Sequence, residues 1–343
     1  MIEGFTWHDA ERTVRFGRGA IATAAELFGD GYALLTTERA AGAAPEVVSA
    51  ASSVHHVAPG RVDDLSAALL GEVPDGAPLI VALGGGRVID AAKAVAAARG
   101  GRPRVGAVPT TLSAAEMTRS HRLPAGAPAG TRPVRPALVL NDPALCASQP
   151  DADLAASAAN SLAHAAEGAV SVRASVVPRL AAGEAARLTA IAYGVEAASA
   201  SGGAVAGAGP LDGPSPEDGR DALALAALLS GATIDSAGYG LHHVVSQTLA
   251  RLGGATHAGA NAALLPHTAA ALRRRAGDRM LPGVEELARV LARRAGAERL
   301  SDLGVDRDVL PRCAEAAAER ADLDNTPPRA GRDELLRLYE AAW

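Results

Sequence analysis

The sequence predicts an α/β unit over residues 1–150 followed by an all-α unit over 151–343, and three observations carry that division. Through the first half, short apolar runs bounded by Gly, Pro and Asp alternate with amphipathic stretches, the pattern of βαβ units and a parallel sheet. After "LNDPAL" the strand signal stops, and Ala, Leu, Arg and Glu recur at helical spacing to the C-terminus. The length, 343 residues, exceeds the usual size of a single core.

In order, "TVRFG" predicts a strand, "GAIATAAELF" a helix, "YALLTTE" a strand and "PEVVSAA" a helix. "SSVHHVA" continues as a strand, "RVDDLSAALLGEV" as a helix, "PLIVALGGG" as a strand and "VIDAAKAVAAARG" as a helix. "RVGAVPTT" and "PALVLNDPAL" close the sheet, and "DADLAASAANSLAHAAEG" opens the helical half. Two Gly/Pro-rich segments, 124–136 and 199–219, read as loops, and there is no internal repeat.

Hydrophobic residues make up 48% and aromatic residues 3%, so Ala, Val and Leu must fill the core through close helix packing. With 33 basic against 38 acidic residues and no basic run, the chain is not expected to bind nucleic acid. No uninterrupted apolar stretch is long enough to span a bilayer and no leader pattern opens the chain, which predicts a soluble, cytoplasmic protein with no membrane partner. Cys146 and Cys313 are far apart, fit a reducing compartment, and are assigned no chemistry. Lys93 is the sole lysine; either a compact ammonium is needed there or one lysine survived a compositional bias toward arginine.

"LIVALGGGRVIDAAKAVA" joins a strand to a helix through Gly84, Gly85 and Gly86, with Arg87 and Asp90 in the first turns. Glycines allow close approach of a ligand, and the free amides of a helix N-terminus attract phosphate. An ordinary βα connection shares the pattern. In "GAVPTTLSAAEMT", Thr110 and Thr111 sit where open α/β sheets bind ligands; the alternative is a Thr N-cap of a following helix.

Asn160 and His164 are four residues apart, as are His243 and Gln247, so each pair shares a helix face. His257 follows a glycine-rich turn, and His267 lies ten residues on, about 15 Å along a continuous helix. Each histidine taken alone reads first as a satisfied core residue, and it is their clustering that points to a site. As metal ligands the set is weak, because neutral amides bind divalent ions poorly; a polar substrate pocket is the better chemical reading.

"GGGRVIDAAKAVA", "PTTLSAAEMT", "LNDPAL", "NSLAHAAEG", "GLHHVVSQTL" and "THAGANAALLPH", in this order, resemble the iron-containing alcohol dehydrogenase superfamily across nearly the whole chain. "NSLAHA", "GLHH" and the closing "NTPPRAGRDELLRLYEAAW" are most similar to its maleylacetate reductase branch. The resemblance implies the dehydroquinate synthase-like architecture: an α/β dinucleotide-binding domain over 1–150, a helical substrate domain derived from a metal site over 151–343, NAD(P)H in the cleft between them, and a homodimer. It implies Gly84, Gly85, Gly86, Arg87 and Asp90 at the pyrophosphate, Thr110, Thr111 and Leu112 along the cofactor, and Glu38 at the adenosine ribose. Metal-using members hold the ion with an Asp and three His. By resemblance those positions are Asn160, His164, Gln247 and His257, a degenerate set that implies no metal.

This chain departs from the family pattern at Arg87, where serine is usual, at Ala114 and Ala115, where Gly and Ser are usual, and at "ARLGGATH" before His257. The expected function is metal-independent, NAD(P)H-dependent reduction of a small, carboxylated carbonyl or enone compound, with His243 or His257 as general acid and His164 and Asn160 polarising the substrate. The alternatives are a non-redox cyclisation, elimination or aldol-type step on the same scaffold and, last, a non-catalytic binding subunit. Glu38 favours NAD, whereas neighbouring Arg39 suits the phosphate of NADP.

Overall fold

The structure, a computed structural model, describes residues 2–195 and 216–343. The chain divides into two compact units, Met1–Ser148 and Gln149–Trp343.

The first unit opens on a hairpin, β1 (Phe5–Asp9) and β2 (Arg12–Phe16), in which Phe5 stands opposite Phe16 and their rings stack. Then follow α1 (Ala24–Phe28), β3 (Tyr32–Thr36), α2 (Glu38–Ala43), α3 (Pro45–Ser49), β4 (Ala51–His56), α4 (Val62–Glu72), β5 (Leu79–Gly84), α5 (Gly86–Ala98), β6 (Arg104–Pro109) and β7 (Leu138–Asn141). The seven strands lie in the order β1-β2-β7-β6-β5-β3-β4, parallel throughout except for the first hairpin.

Every residue of β3 and β5 is buried, as a sheet covered on both faces requires. Alternate residues feed opposite cores: Ala33, Leu35, Ile80 and Ala82 pack with Ile89, Ala92 and Val95 of α5, while Leu34, Val81 and Leu83 pack with Phe28 and Val47. The edge strand β4 alternates buried and exposed residues. Three expectations need revision here. β1 was not anticipated, because "FTWHD" is mostly exposed and lacks a buried face. No helix follows Thr111, so Thr110 and Thr111 cap nothing; 110–137 contains no helix or strand, and Thr110 N–H bonds to Gly84 O. The third concerns the second loop.

In the second unit the helices are α6 (Asp151–Val170), α7 (Val176–Ala192), α8 (Pro216–Ala237), α9 (Leu241–Leu252), α10 (His257–Ala276), α11 (Val284–Arg294), α12 (Leu310–Ala318) and α13 (Arg332–Ala342). Of the loop expected over 199–219, residues 199–215 lie outside the described residues. Pro216 to Gly219 instead open α8, with Pro at its start and Glu217 and Asp218 in its first turn, where proline and negative charge are favoured. α6 is buried along nearly its whole length, and its small residues let neighbours approach. At Gly168 a Cβ would lie 2.0 Å from Thr233 Cγ2, so only glycine admits α8 at that distance. Ser161 and Ser230 hydrogen bond across the same contact at 2.9 Å. Among the described residues no single helix is long and apolar enough to cross a membrane.

Candidate active site

In the first unit, Thr36 of β3 pairs with Leu83 of β5, while the chain leaves this pair on one side to β4 and on the other to β6. The strand order therefore reverses between β3 and β5, and ligands bind open α/β sheets beyond the carboxyl ends of such strands. Gly84, Gly85 and Gly86 follow β5 there, and exposed Glu38 opens α2 just beyond β3. The glycines are sterically required. A Cβ on Gly84 would lie 2.8 Å from Val88 Cγ2, and one on Gly86 2.9 Å from Ser113 Cβ. Val88 and Ile89 N–H return to Gly85 O, and the first amides of α5 have no carbonyl within the helix to bond. Arg87 and Asp90 stand in its first two turns, with Thr111 packed against Gly85 and Leu112 buried beside them.

The loop after β6 is tied down from beneath. Lys93 is fully buried, donates to the carbonyls of Ala115 (3.0 Å), Thr118 (2.9 Å) and Ser120 (3.0 Å), and meets Asp90 at 2.7 Å. Here the compact ammonium is needed, with donors for several acceptors from one point. Arg12 Nη1 adds a bond to Met117 O at 2.9 Å. Between these cations lies Glu116, whose carboxyl burial pushes up to about 7 against the opposing pull of its backbone hydrogen bond, Lys93 and Arg12. Ala114 holds φ +61°, a left-handed conformation that glycine adopts without penalty.

In the second unit, Asn160, His164 and Glu167 occupy one face of α6, at i, i+4 and i+7. His164 stacks on His243 of α9 with ring centroids 4.7 Å apart, and Tyr239 covers the other face of His243 at 4.6 Å. Glu167 binds both the ring and the start of α9: Oε2 meets His243 Nδ1 at 2.5 Å, while Oε1 accepts from the backbone N–H of His242 (2.5 Å) and His243 (3.2 Å). Acting from another helix, it satisfies orphan donors that a local N-cap would otherwise take. His257, at the start of α10, and Asn160 both contact Asn261. Gln247 does not join the set as expected; its Oε1 accepts from Arg320 Nη2 at 3.2 Å, and the imidazole stacked on His164 is His243. His267 lies further along α10.

Burial governs the charges. His164 is held well below the usual imidazole range, first by desolvation and then by His243, His257 and His242. His243 is depressed likewise, with His257 and Arg320 adding to its burial. Burial raises Glu167 to about 7, against the opposing pull of His242 and three backbone donors. Burial thus favours the uncharged form of both Glu167 and His243, whose contact runs from Oε2 to Nδ1. Among the described residues of this cluster, His164 Nδ1 and His243 Nε2 are buried nitrogens without a hydrogen-bond partner.

The family profile of iron-containing alcohol dehydrogenases matches residues 11–143. A maleylacetate reductase of Sphingobium indicum is 29% identical over 91% of this chain and 90% of its own length. Another, from Cupriavidus pinatubonensis, is 36% identical over 57% of this chain and 50% of its length, so the chain spans half of that relative. The crystal structure of maleylacetate reductase from Agrobacterium tumefaciens superposes with a TM-score of 0.78, covering 100% of this chain and 99% of that one at 24% identity, a likeness of fold. These matches support the iron-containing alcohol dehydrogenase superfamily as the group this chain is similar to.

Members of this superfamily bind NAD(P). The glycine turn at the β3/β5 reversal, where a Cβ would collide, suits the pyrophosphate of such a nucleotide. An iron ion suits this chain poorly. Among the described residues no group of three or more His, Cys, Asp and Glu side chains is arranged to hold a metal. Asn160 Oδ1 accepts from Asn261, Glu167 is taken by His243 and α9, and neutral amides are weak ligands. Glu167, His242, Asn261 and Thr268 escaped the sequence reading. Glu167 stands three residues after His164 and Asn261 four after His257, spacings that share a helix face and were readable. Glu116 and Arg12 meet only through the sheet and carry no local signal.

Proposed function

We propose that the chain is a metal-independent, NAD(P)H-dependent reductase of a small carboxylated carbonyl or enone compound, of the maleylacetate kind. The observation that carries this reading is the buried Glu167 and His243 pair with His243 Nε2 left open. The first unit would hold the nucleotide, with Gly84, Gly85, Gly86, Arg87 and Asp90 at the pyrophosphate, Thr110, Thr111 and Leu112 alongside, and Glu38 at the ribose. Bound NAD(P)H supplies the hydride.

His243 Nε2 gives the proton. As it leaves, the Glu167 carboxyl proton moves from Oε2 to Nδ1, and the imidazole stays neutral throughout. That suits a ring whose charged form burial disfavours, and an acid held near 7 is matched to work near neutral pH. His164 and Asn160 orient the substrate oxygen, His257 stands at the rim, and the Arg320 charge felt by His243 favours a carboxylated substrate. A homodimer in the cytoplasm belongs to the same proposal, and light scattering measures its mass.

The test is oxidation of NADH and NADPH by EDTA-dialysed protein with maleylacetate. Turnover unaffected by EDTA is expected. Absence of turnover, with no saturable binding of either nucleotide, overturns the reading. One departure favours a non-redox step instead: Ala114 and Ala115 stand where the family pattern has Gly and Ser, which adds a methyl group and removes a hydroxyl beside the glycine turn. Failure of both nucleotides to bind would turn the assignment to that reading.

A further inference from the structure

Five polar side chains of the helical unit form a hydrogen-bonded chain whose direction follows from the orientation of the Asn261 carboxamide. Thr268 Oγ1 meets His242 Nδ1 at 2.8 Å, and His242 Nε2 meets Asn261 Oδ1 at 3.2 Å. Asn261 Nδ2 donates to Asn160 Oδ1 at 2.8 Å and faces His257 Nε2 at 3.2 Å. Thr268, His242 and Asn261 are fully buried, so water cannot complete the count.

A carboxamide nitrogen only donates, so Asn160 Oδ1 and His257 Nε2 are both acceptors. The carboxamide oxygen of Asn261 only accepts, so His242 carries its proton on Nε2. Burial keeps His242 neutral, pushed down to about 3, which leaves Nδ1 bare to accept the Thr268 hydroxyl. That contact is shorter than the approaches of the same hydroxyl to Leu264 O (3.0 Å) and Leu265 O (3.2 Å). At the far end Asn160 turns its oxygen toward Asn261, which leaves its NH₂ group facing away. His257, whose Nε2 lone pair faces the Asn261 NH₂ group, carries a proton on Nδ1.

We infer that Asn261, oriented by His242 and Thr268, is a positioning residue that turns Asn160 and His257 to act as hydrogen-bond donors for a substrate oxygen and engages the acceptor atom of each that a cation would otherwise take. That the oxygen is a carbonyl rests on the reductase reading; the direction of the chain does not. Donors aimed at an oxygen that gains negative charge are the useful polarity in reduction, whereas a cation needs bare lone pairs.

One substitution reverses the polarity. In Asn261→Asp both oxygens accept, so Asn160 must turn its NH₂ inward and offer Oδ1, and His257 must donate from Nε2 and offer a bare Nδ1. The first measurement is long-range proton–nitrogen NMR of the wild-type histidines. Neutral His242 protonated on Nε2 is expected; protonation on Nδ1 overturns the inference. The second is Co²⁺ titration, followed by visible absorption, of wild type, Asn261→Asp and Asn261→Ala. Only Asn261→Asp should gain affinity, at least about tenfold, while its kcat falls roughly a hundredfold. A folded Asn261→Asp with wild-type Co²⁺ affinity, or with wild-type kcat, overturns the inference. If Asn261→Asp does not fold, the wild-type NMR still decides. A wild type without reductase turnover defeats the reductase reading alone, since neither the tautomer nor the Co²⁺ result depends on activity.

Discussion

Lys93→Met should loosen the segment from Ala115 to Ser120 while leaving the sheet intact. The ammonium is fully buried, serves three carbonyls at 2.9 to 3.0 Å and meets Asp90 at 2.7 Å. Methionine matches its bulk but brings no proton, so three carbonyls and a carboxylate lose their partner together. Asp90 is 28% exposed and regains some hydration; the carbonyls beside the buried ammonium regain less. Removing one partner of a buried pair costs about 3–5 kcal/mol, and a hydrogen bond to a charged group contributes about 1.5–3. These overlap and do not add, so the total is taken as about 3–5 kcal/mol, or a factor of roughly 10² to 10⁴ in the opening equilibrium. Hydrogen-exchange mass spectrometry of the full chain reads it directly, comparing peptides over 110–120 with peptides from β5. Acceleration confined to the first set is expected. A change below about tenfold there would refute the reasoning, since the carbonyls would then be satisfied without the ammonium. Lys93→Arg should fail to restore protection, because a planar guanidinium cannot gather the same acceptors around one nitrogen.

Ala114→Gly should stabilise the chain by up to about 1 kcal/mol, since φ +61° strains a residue with a Cβ. A rise in Tm of about 2–4 °C is the readout; a fall would mean that the lost methyl packing outweighs the strain. Glu116, held near 7 against an ordinary 4.5, binds more protons in the native than in the unfolded state between those values. Its contribution is complete below 4.5 and lost as pH rises through 7, a loss of about 3 kcal/mol. Urea unfolding at about pH 5 and about pH 8 should therefore show a smaller pH dependence in Glu116→Gln than in wild type, and an equal one counts against the argument. If the Glu167 carboxyl is the proton source, wild-type turnover falls as pH rises through about 7, because the acid form is required. Glu167→Gln should then lose roughly a hundredfold in kcat together with that limb of the profile; retention of the limb assigns the proton to another group.

The parallel sheet was legible because its strands are continuous apolar runs cut by glycine and proline, and its helices are long enough to show a period. β1 was not, because an edge strand with one stacked aromatic and four polar or exposed neighbours has no periodic face to find. The alternative of a helix capped by Thr111 fails for a different reason: the backbone there is held by Lys93 and Arg12, partners that no local propensity can announce. In the helical unit the i, i+4 rule found Asn160 with His164. The same rule paired His243 with Gln247, which faces Arg320 instead, because spacing fixes a helix face but not the neighbour across it. His242, next to His243 in sequence, turns to the interior of α10 rather than to the imidazole stack, and only the tertiary contacts separate the two roles.

Within the imidazole cluster most polar atoms are satisfied, and this gives the two exceptions their meaning. Glu167 has both oxygens occupied, His242 both nitrogens, and Asn261 its oxygen and its NH₂ group. His164 Nδ1 and His243 Nε2 have no partner. An unmet buried polar atom costs about 1–3 kcal/mol, and these two belong to rings stacked 4.7 Å apart. A ligand whose polar atoms met both nitrogens would recover that cost on binding and so stabilise this unit in proportion to its affinity. Unmet hydrogen bonding at His164 Nδ1 and His243 Nε2 is therefore what the proposed substrate would satisfy on binding.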